Sequence, residues 1–434
     1  MIVAMSVHTI YNLADAIWVS GLGTDALAAV GFVYPFFFTA MALSTGLGMG
    51  GGSAISRRIG AKDKKGADNV AVHTIMIMIL ASVVFSIPLF IFARDIFVLI
   101  GAAGTTGMAT VYARIIFAGS IITFFSFIAN AILRAEGDAK RAMYAMLLGA
   151  GLNIILDPIF IYTLKLGVAG AAWATLLSLS ISSIILAYWL FFKKSTYVSF
   201  VFRGFKFNKN IIKDILKVGL PASILQLSMS FTMLIITIII AKVTGSTDGV
   251  AVYTAGWRIA TIAILPLLGI ATAVVSVTGA AYGARKIDKL NMALMYAIKI
   301  GLIIEIIMAI STFVLAPFIT VVFTQAEDTA RIAEDLTTFL RIVCLYYPGV
   351  AFGMLSSSLF QGTGKGINAL MVTIFRTLIL TVPLALIFST IFQLGLVGIW
   401  MGIVAGNVTG SLTAFTWAKI YIHKLRILQV PSEG

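Results

Sequence analysis

Residues 221–243 read PASILQLSMSFTMLIITIIIAKV, and the first charge in that stretch is Lys242. About 20 apolar residues let an α-helix cross the hydrocarbon of a bilayer. A helix also satisfies its own backbone where no water is available. The same texture recurs along the chain. Twelve apolar stretches are predicted to be membrane helices, over residues 1–19, 27–56, 68–93, 108–133, 141–164, 167–192, 216–242, 249–278, 290–316, 333–359, 367–393 and 395–418. The 434 residues are 60% hydrophobic and 11% charged, with a mean hydropathy of +1.04. Soluble globular domains do not have this composition. The expected fold is an all-α membrane protein with 12 transmembrane helices.

A net charge of +14 would suggest a nucleic-acid partner for a soluble protein. Here the basic residues are sorted by loop. Twenty-two of the 31 Lys and Arg lie in, or within two residues of, loops after even-numbered segments or the C-terminal tail. Loops after odd-numbered segments hold only Arg94, Lys165 and Arg331, with Lys242 at the edge of another. Basic loops mark the cytoplasmic side, so both termini are expected in the cytoplasm, with the chain spanning the plasma (inner) membrane many times. No nucleic-acid or nucleotide partner is expected, since GTGKG at 362–366 lacks the spacing of a phosphate-binding loop. Cys344 is the sole cysteine, so no disulfide can form within the chain.

The two halves repeat. Gly23-Thr24-Asp25 resembles Ser246-Thr247-Asp248, and Gly46 and Gly60 meet Gly269 and Gly283, all at a shift of 223. Arg114 and Gly137 meet Arg341 and Gly364 at 227, and Gly167 and Gly170 meet Gly395 and Gly398 at 228. Six segments per half is an even number, so both halves enter the membrane from the same side and a pseudo-two-fold axis runs along its normal. The domains expected are a six-helix lobe over 1–192, a basic cytoplasmic linker over 193–215, a second lobe over 216–418 and a cytoplasmic tail over 419–434. Pro221, near the start of segment 7, shifts by 223 to a place before Met1. The start of segment 1 is therefore expected to be trimmed.

Asp15 lies in an otherwise apolar segment. A charge at the centre of a bilayer costs roughly 3 kcal/mol on insertion scales, and such residues mark ion, proton or substrate pathways. His8, Tyr11, Asn12 and Asp15 share one helical face. Asn153 and Asp157 are one turn apart on segment 5, and Thr175 on segment 6 and Asn130 on segment 4 add further oxygens. Asp15 maps by the repeat to Ile238, and Asp157 to about Leu384. Two buried carboxylates that approach each other cannot readily both stay ionised, so the pair can hold a proton. The set Asp15, Asn153, Asp157 and Thr175 can equally coordinate Na⁺. The plain alternative is that these acids only hydrogen-bond within the bundle, and that His8 packs between helices rather than relaying protons.

Tyr34, Phe37 and Met41 on segment 2 are candidate lining for a cavity that accepts varied hydrophobic compounds, because aromatic and Met surfaces adapt. Glu305 on segment 9 is expected to pair with Arg376 on segment 11, the alternative being an ion site in the second half. The symmetry of Arg114 and Arg341 suggests an architectural role. The Gly46-xxx-Gly50 spacing allows close helix approach.

Together GTDALAAVG (23–31), SRRIGAKDKKGA (56–67), AILRAEGDAKRAM (131–143), NIILDPIFI (153–161) and FQGTGKGINALM (360–371) resemble the MATE family of multidrug and toxic-compound extruders, over the whole chain. The resemblance implies two six-helix lobes in a V around a central cavity that opens alternately to either side. It implies export of hydrophobic or amphiphilic, often cationic, drugs by antiport with H⁺ or Na⁺, and no other cofactor. In the DinF-like prokaryotic branch the coupling residues are an aspartate on helix 1 with an asparagine and an aspartate on helix 5, and Asp15, Asn153 and Asp157 match these places. NorM-type members carry an acid on helix 7, and this chain has none there. An enzyme is not expected, since no catalytic cluster of His and Asp is visible. A monomer is expected. The nearest alternative is a flippase for lipid-linked saccharides of the same superfamily, which would need basic residues to outnumber acids in its cavity.

Overall fold

A computed structural model describes residues 7, 11, 14–15, 17–193, 196–200, 205–245, 248–324 and 330–428. His8 and Asn12 lie outside the described residues. Helix α1 comprises Val7, Tyr11, Ala14, Asp15 and residues 17–20. It is followed by α2 (Thr24–Gly60), α3 (Lys64–Ile91), α4 (Thr106–Ala118 and Ser120–Ala135), α5 (Ala139–Thr163) and α6 (Gly167–Phe192). Then come α7 (Lys209–Thr244), α8 (Asp248–Gly283), α9 (Ile287–Phe323), α10 (Ala333–Gly362), α11 (Gly366–Ile391) and α12 (Gly395–Ile427). Among the described residues ten helices are long and apolar enough to cross a bilayer, and the two rods of α4, bent by 48°, make an eleventh. A short helix, Ala93–Leu99, which the apolar pattern does not reveal, joins α3 to α4 and buries Phe97.

The chain divides into two compact units, Val3–Ser223 and Ile224–Gly434, so the first turns of α7 pack with the first unit. Helix α7 begins at Lys209, within the basic linker expected over 193–215. Ile211 and Ile215 are buried there, and Asp214 meets Arg57 of α2 at 2.7 Å. Beyond these turns, Gly46 and Gly50 let α2 approach α7. A β-carbon at Gly46 would lie 2.6 Å from the Gly219 carbonyl, and one at Gly50 would lie 2.9 Å from the Gly219 nitrogen.

The repeat is written into backbone irregularities as well as sequence. Helices α5 and α11 both end in π-helical turns, Ile159–Thr163 and Ile387–Ile391, at a shift of 228. Lys165 and Gln393 follow with φ of 54° and 55°, then Gly167 and Gly395 with 55° and 57°. A β-carbon at Gly170 or at Gly398 would sit 2.5 Å from the carbonyl oxygen of Phe160 or of Phe388. The break in α4 at Gly119 corresponds to the 3₁₀ turn Cys344–Tyr346 within α10. Arg114 stacks over Phe90 at 5.7 Å, and Arg341 over Phe313 at 5.6 Å, again partners by the repeat. Each such contact contributes about 0.5–1 kcal/mol at an exposed site.

In the second unit Tyr253 and Trp257 of α8, Phe339 of α10 and Trp400 of α12 form one aromatic cluster. The ring centroids of Phe339 and Trp400 are 4.6 Å apart edge to face, and Tyr253 stacks on Trp400 at 5.9 Å. Tyr253 also meets Trp257 at 5.6 Å. Phe339 and Trp400 are sealed from solvent.

Candidate functional site

The site is assembled in the first unit from α1, α2, α4, α5 and α6. Asp157 is the last residue of α5 before Pro158. Proline has no N–H and cannot continue the α-helical ladder. The helix loosens into its π turn at that point, where the Leu164 N–H donates to the Ile159 carbonyl at 2.8 Å. Single π turns inside α-helices are frequent at functional sites. One turn beyond, the Tyr162 hydroxyl donates to the Trp18 carbonyl at 2.6 Å and ties the end of α1 to α5.

Asp157 is 0% exposed, and Asn153 and Thr175 are also buried. The Asn153 amide nitrogen lies 3.3 Å from the Asp157 Oδ1 and 3.3 Å from the Thr175 Oγ1. Asp15 stands within hydrogen-bonding reach of Asp157 across the α1–α5 contact. Three acceptor oxygens of this group, Asp15 Oδ1, Asn153 Oδ1 and Asp157 Oδ2, are buried with no hydrogen-bond partner among the described residues. Buried acceptors are nearly always paired. This group is therefore rich in acceptors and short of donors. Its ligands are all oxygen, the set that suits a hard cation or a proton rather than a soft metal. Among the described residues there is no cluster of three or more His, Cys, Asp or Glu side chains able to hold a metal ion.

A cleft opens beside the acids, lined by Tyr11, Asp15, Val30, Val33, Tyr34, Phe37, Tyr112 and Thr175. Tyr34 and Phe37 of α2 are both part of this lining. Met41 lies one turn further along α2, half-buried and outside that lining. Asn130 does not join the group, because its amide turns back to its own helix and donates to the Ser126 carbonyl at 2.8 Å. Tyr112 of α4 was missed by the sequence reading. Its signal is a polar-tipped ring in an apolar segment, which favours a place where one end is wet.

The repeat places other side chains at the corresponding positions of the second unit. Val30, Tyr34 and Tyr112 correspond to Tyr253, Trp257 and Phe339. There the space is filled by stacked rings rather than opened to an acid. The expected Glu305–Arg376 pair does not form. Both Glu305 oxygens are without a partner among the described residues, and Arg376 packs instead against Gly353 and Gly410. Those two glycines let α10 and α12 close around the guanidinium stem.

Comparison with known proteins agrees with this architecture. The family model described as MatE matches residues 1–159 and 221–387. The multidrug export protein MepA of Staphylococcus aureus (strain MSSA476) is 28% identical over 411 residues, which cover 94% of this chain and 89% of MepA. A structure described as the outward-facing conformation of a multidrug resistance MATE family transporter of the MOP superfamily is 49% identical, with a TM-score of 0.94 over 98% of this chain and 94% of that one. A MOP superfamily transporter from Pyrococcus furiosus, for which reversed polarity of the binding pocket is said to suggest a different function, has the same identity, coverage and TM-score. Matched over most of its length by the family model and sharing its fold with these transporters, the chain belongs to the MatE family and is a multi-pass membrane transporter rather than an enzyme.

Proposed function

We propose that this transporter exports amphiphilic, often cationic, drug-like compounds in exchange for H⁺ or Na⁺, and that Asp15, Asn153, Asp157 and Thr175 form the coupling site. The observation that carries this reading is that two carboxyl groups, Asp15 and Asp157, face each other and that one oxygen of each, with the Asn153 Oδ1, is buried without a donor among the described residues. A proton or a Na⁺ supplies the positive charge that the group lacks. The names of relatives such as MepA support drug export as the transported activity.

The cleft beside Asp15 offers aromatic faces at Tyr11, Tyr34, Phe37 and Tyr112. Such faces attract organic cations. A cationic compound in the cleft and a coupling ion at the carboxyl pair draw on the same negative charge, so occupancy by one weakens the other. Ion binding drives export only by favouring one conformation over another. The π turn after Asp157 and the Tyr162–Trp18 tie offer a way for occupancy to change how α1 seats on α5. A flippase would want basic residues at its cavity, and the described lining of this cleft has none. We place the transporter in the plasma membrane as a monomer, with both termini cytoplasmic.

The test is efflux of a fluorescent cationic drug from proteoliposomes with a pH gradient or a Na⁺ gradient imposed separately. One gradient should drive efflux in the wild type. Asp15→Asn should abolish the response to that gradient, and the reading fails if the variant keeps both export and ion dependence.

A further inference from the structure

His73, near the start of α3, is 0% exposed and lines no part of the cleft beside Asp15. Both nitrogens of its ring are engaged. Nδ1 lies 2.8 Å from the Asn69 carbonyl, one turn back on α3, and Nε2 lies 2.9 Å from the backbone nitrogen of Asn208. A carbonyl only accepts and a backbone N–H only donates. The ring is therefore the neutral Nδ1–H form, donating to Asn69 and accepting from Asn208. Phe205 and Phe207 of the linker pack on the same ring, with centroids at 4.7 and 5.9 Å.

Asn208 is the cap of α7. Its carbonyl accepts from the N–H groups of Ile211 and Ile212 at 3.1 Å, and its side-chain oxygen accepts from the Asn210 N–H at 2.9 Å. That leaves its own N–H. In a capping box, a Glu or Gln three places after the cap reaches back to this group. Here that residue is Ile211, which has no acceptor in its side chain. His73 supplies the acceptor from α3 instead. The earlier part of the linker is held separately, since the Val198 N–H donates to Glu136 at 3.0 Å and the Ser199 N–H to Asp68 at 2.7 Å.

We infer that His73 is a positioning residue for transport, a latch that fixes the start of α7 and the linker residues just before it on the first unit. The turns of α7 up to Ser223 belong to that unit and the rest of the helix to the second. The cap at Asn208 therefore sets where the chain takes up the helix that leads out of the first unit. Helix ends fray unless their free N–H groups are held. Without the imidazole acceptor the first turn of α7 loosens, and the helix no longer starts from one fixed point. The latch touches neither the carboxyl pair nor the cleft, so its loss slows turnover and leaves drug affinity as it was.

Hydrogen–deuterium exchange of the purified, full-length protein in nanodiscs tests this directly. His73→Phe keeps a ring against Phe205 and Phe207 but removes the acceptor. Residues 205–212 should then exchange about fivefold faster, the equivalent of one neutral hydrogen bond, while residues 196–200 stay unchanged. His73→Gln, whose amide both donates and accepts, should bring exchange back close to the wild type. Unchanged exchange with His73→Phe overturns the latch, and so does a His73→Gln protein as fast as His73→Phe. If the variants do not give monodisperse helical protein, ¹⁵N spectra of the imidazole decide. In a His8→Gln/His423→Gln protein His73 is the remaining histidine. Its Nδ1 should carry the proton, and a proton on Nε2 overturns the proposal. In proteoliposomes the maximal rate of drug efflux should fall severalfold with His73→Phe, at an unchanged half-saturating drug concentration, and His73→Gln should restore it. A full rate with His73→Phe overturns the positioning role. Only this last measurement rests on the drug-export reading, so exchange and imidazole spectra separate a failure of the latch from a failure of that reading.

Discussion

Asn153 donates from a single amide nitrogen to Asp157, one turn away on α5, at 3.3 Å, and the same nitrogen reaches Thr175 of α6 at the same distance. The amide thus joins two helices and orients one oxygen of a sealed carboxyl group, leaving the other oxygen free to meet Asp15 or an ion. Replacing Asn153 by Ala removes a donor to a charged group, which is worth about 1.5–3 kcal/mol. Gradient-driven efflux in proteoliposomes should fall about tenfold or more, with helix content by circular dichroism unchanged. Asn153→Asp should restore polarity without restoring the donor, and efflux should stay low.

The glycines in the first turns of α6 and α12 should be equally intolerant in both halves. Gly170 and Gly398 each leave no room for a β-carbon against the carbonyl of the preceding helix. Overpacking of this kind costs about 1–3 kcal/mol. Gly170→Val and Gly398→Val should therefore lower the thermal unfolding temperature of purified protein by similar amounts. A harmless substitution at one of the two would show that the local geometries are not equivalent.

The arginine–phenylalanine stacks should behave as independent architectural contacts. Arg114→Gln and Arg341→Gln each forgo about 0.5–1 kcal/mol. Well-separated substitutions add, so the double variant should show the sum in thermal stability. The dependence of efflux on the coupling gradient should not change in either single variant.

Glu136, in the loop after α4, supplies a pH dependence outside the membrane spans. Burial pushes its carboxyl from the ordinary 4.5 up to about 7, against the opposing effect of the Val198 N–H that donates to it at 3.0 Å. Between those values the folded protein holds more protons than the unfolded chain, so stability falls as pH rises. The contribution is fully present below about 4.5 and lost as pH passes about 7. Thermal unfolding of the wild type followed across that window should show this decline. In Glu136→Gln it should be flatter, because the amide keeps an acceptor for Val198 without a charge.

Refilling of the second unit is the last expectation. Phe339→Ala would empty the middle of the Tyr253–Trp400 stack, and truncation of a buried Phe costs about 3–5 kcal/mol. Expression and unfolding temperature should drop sharply. Phe339→Tyr, which imitates Tyr112 of the first unit, should be far milder, and the coupling ion should be the same in both variants.

The sequence alone determined the class of fold, the approximate spans and the six-plus-six repeat. These depend on the run length of apolar residues and on glycines and arginines that recur at near-constant shifts, and both are local properties of the chain. It also singled out Asp15, Asn153 and Asp157, because a polar group in an apolar segment stands out without any knowledge of its neighbours. Tertiary structure decided which polar groups meet. Asn130 turns back to its own helix, Tyr112 enters the cleft from α4, and Glu305 and Arg376 stay apart although both are buried in the same unit. Spacing along one helix gives the direction of a side chain. Contact between helices depends on their rotation and depth, which the glycine contacts, the π turns after Asp157 and near the end of α11, and the stacked rings of the second unit set only once the chain is packed.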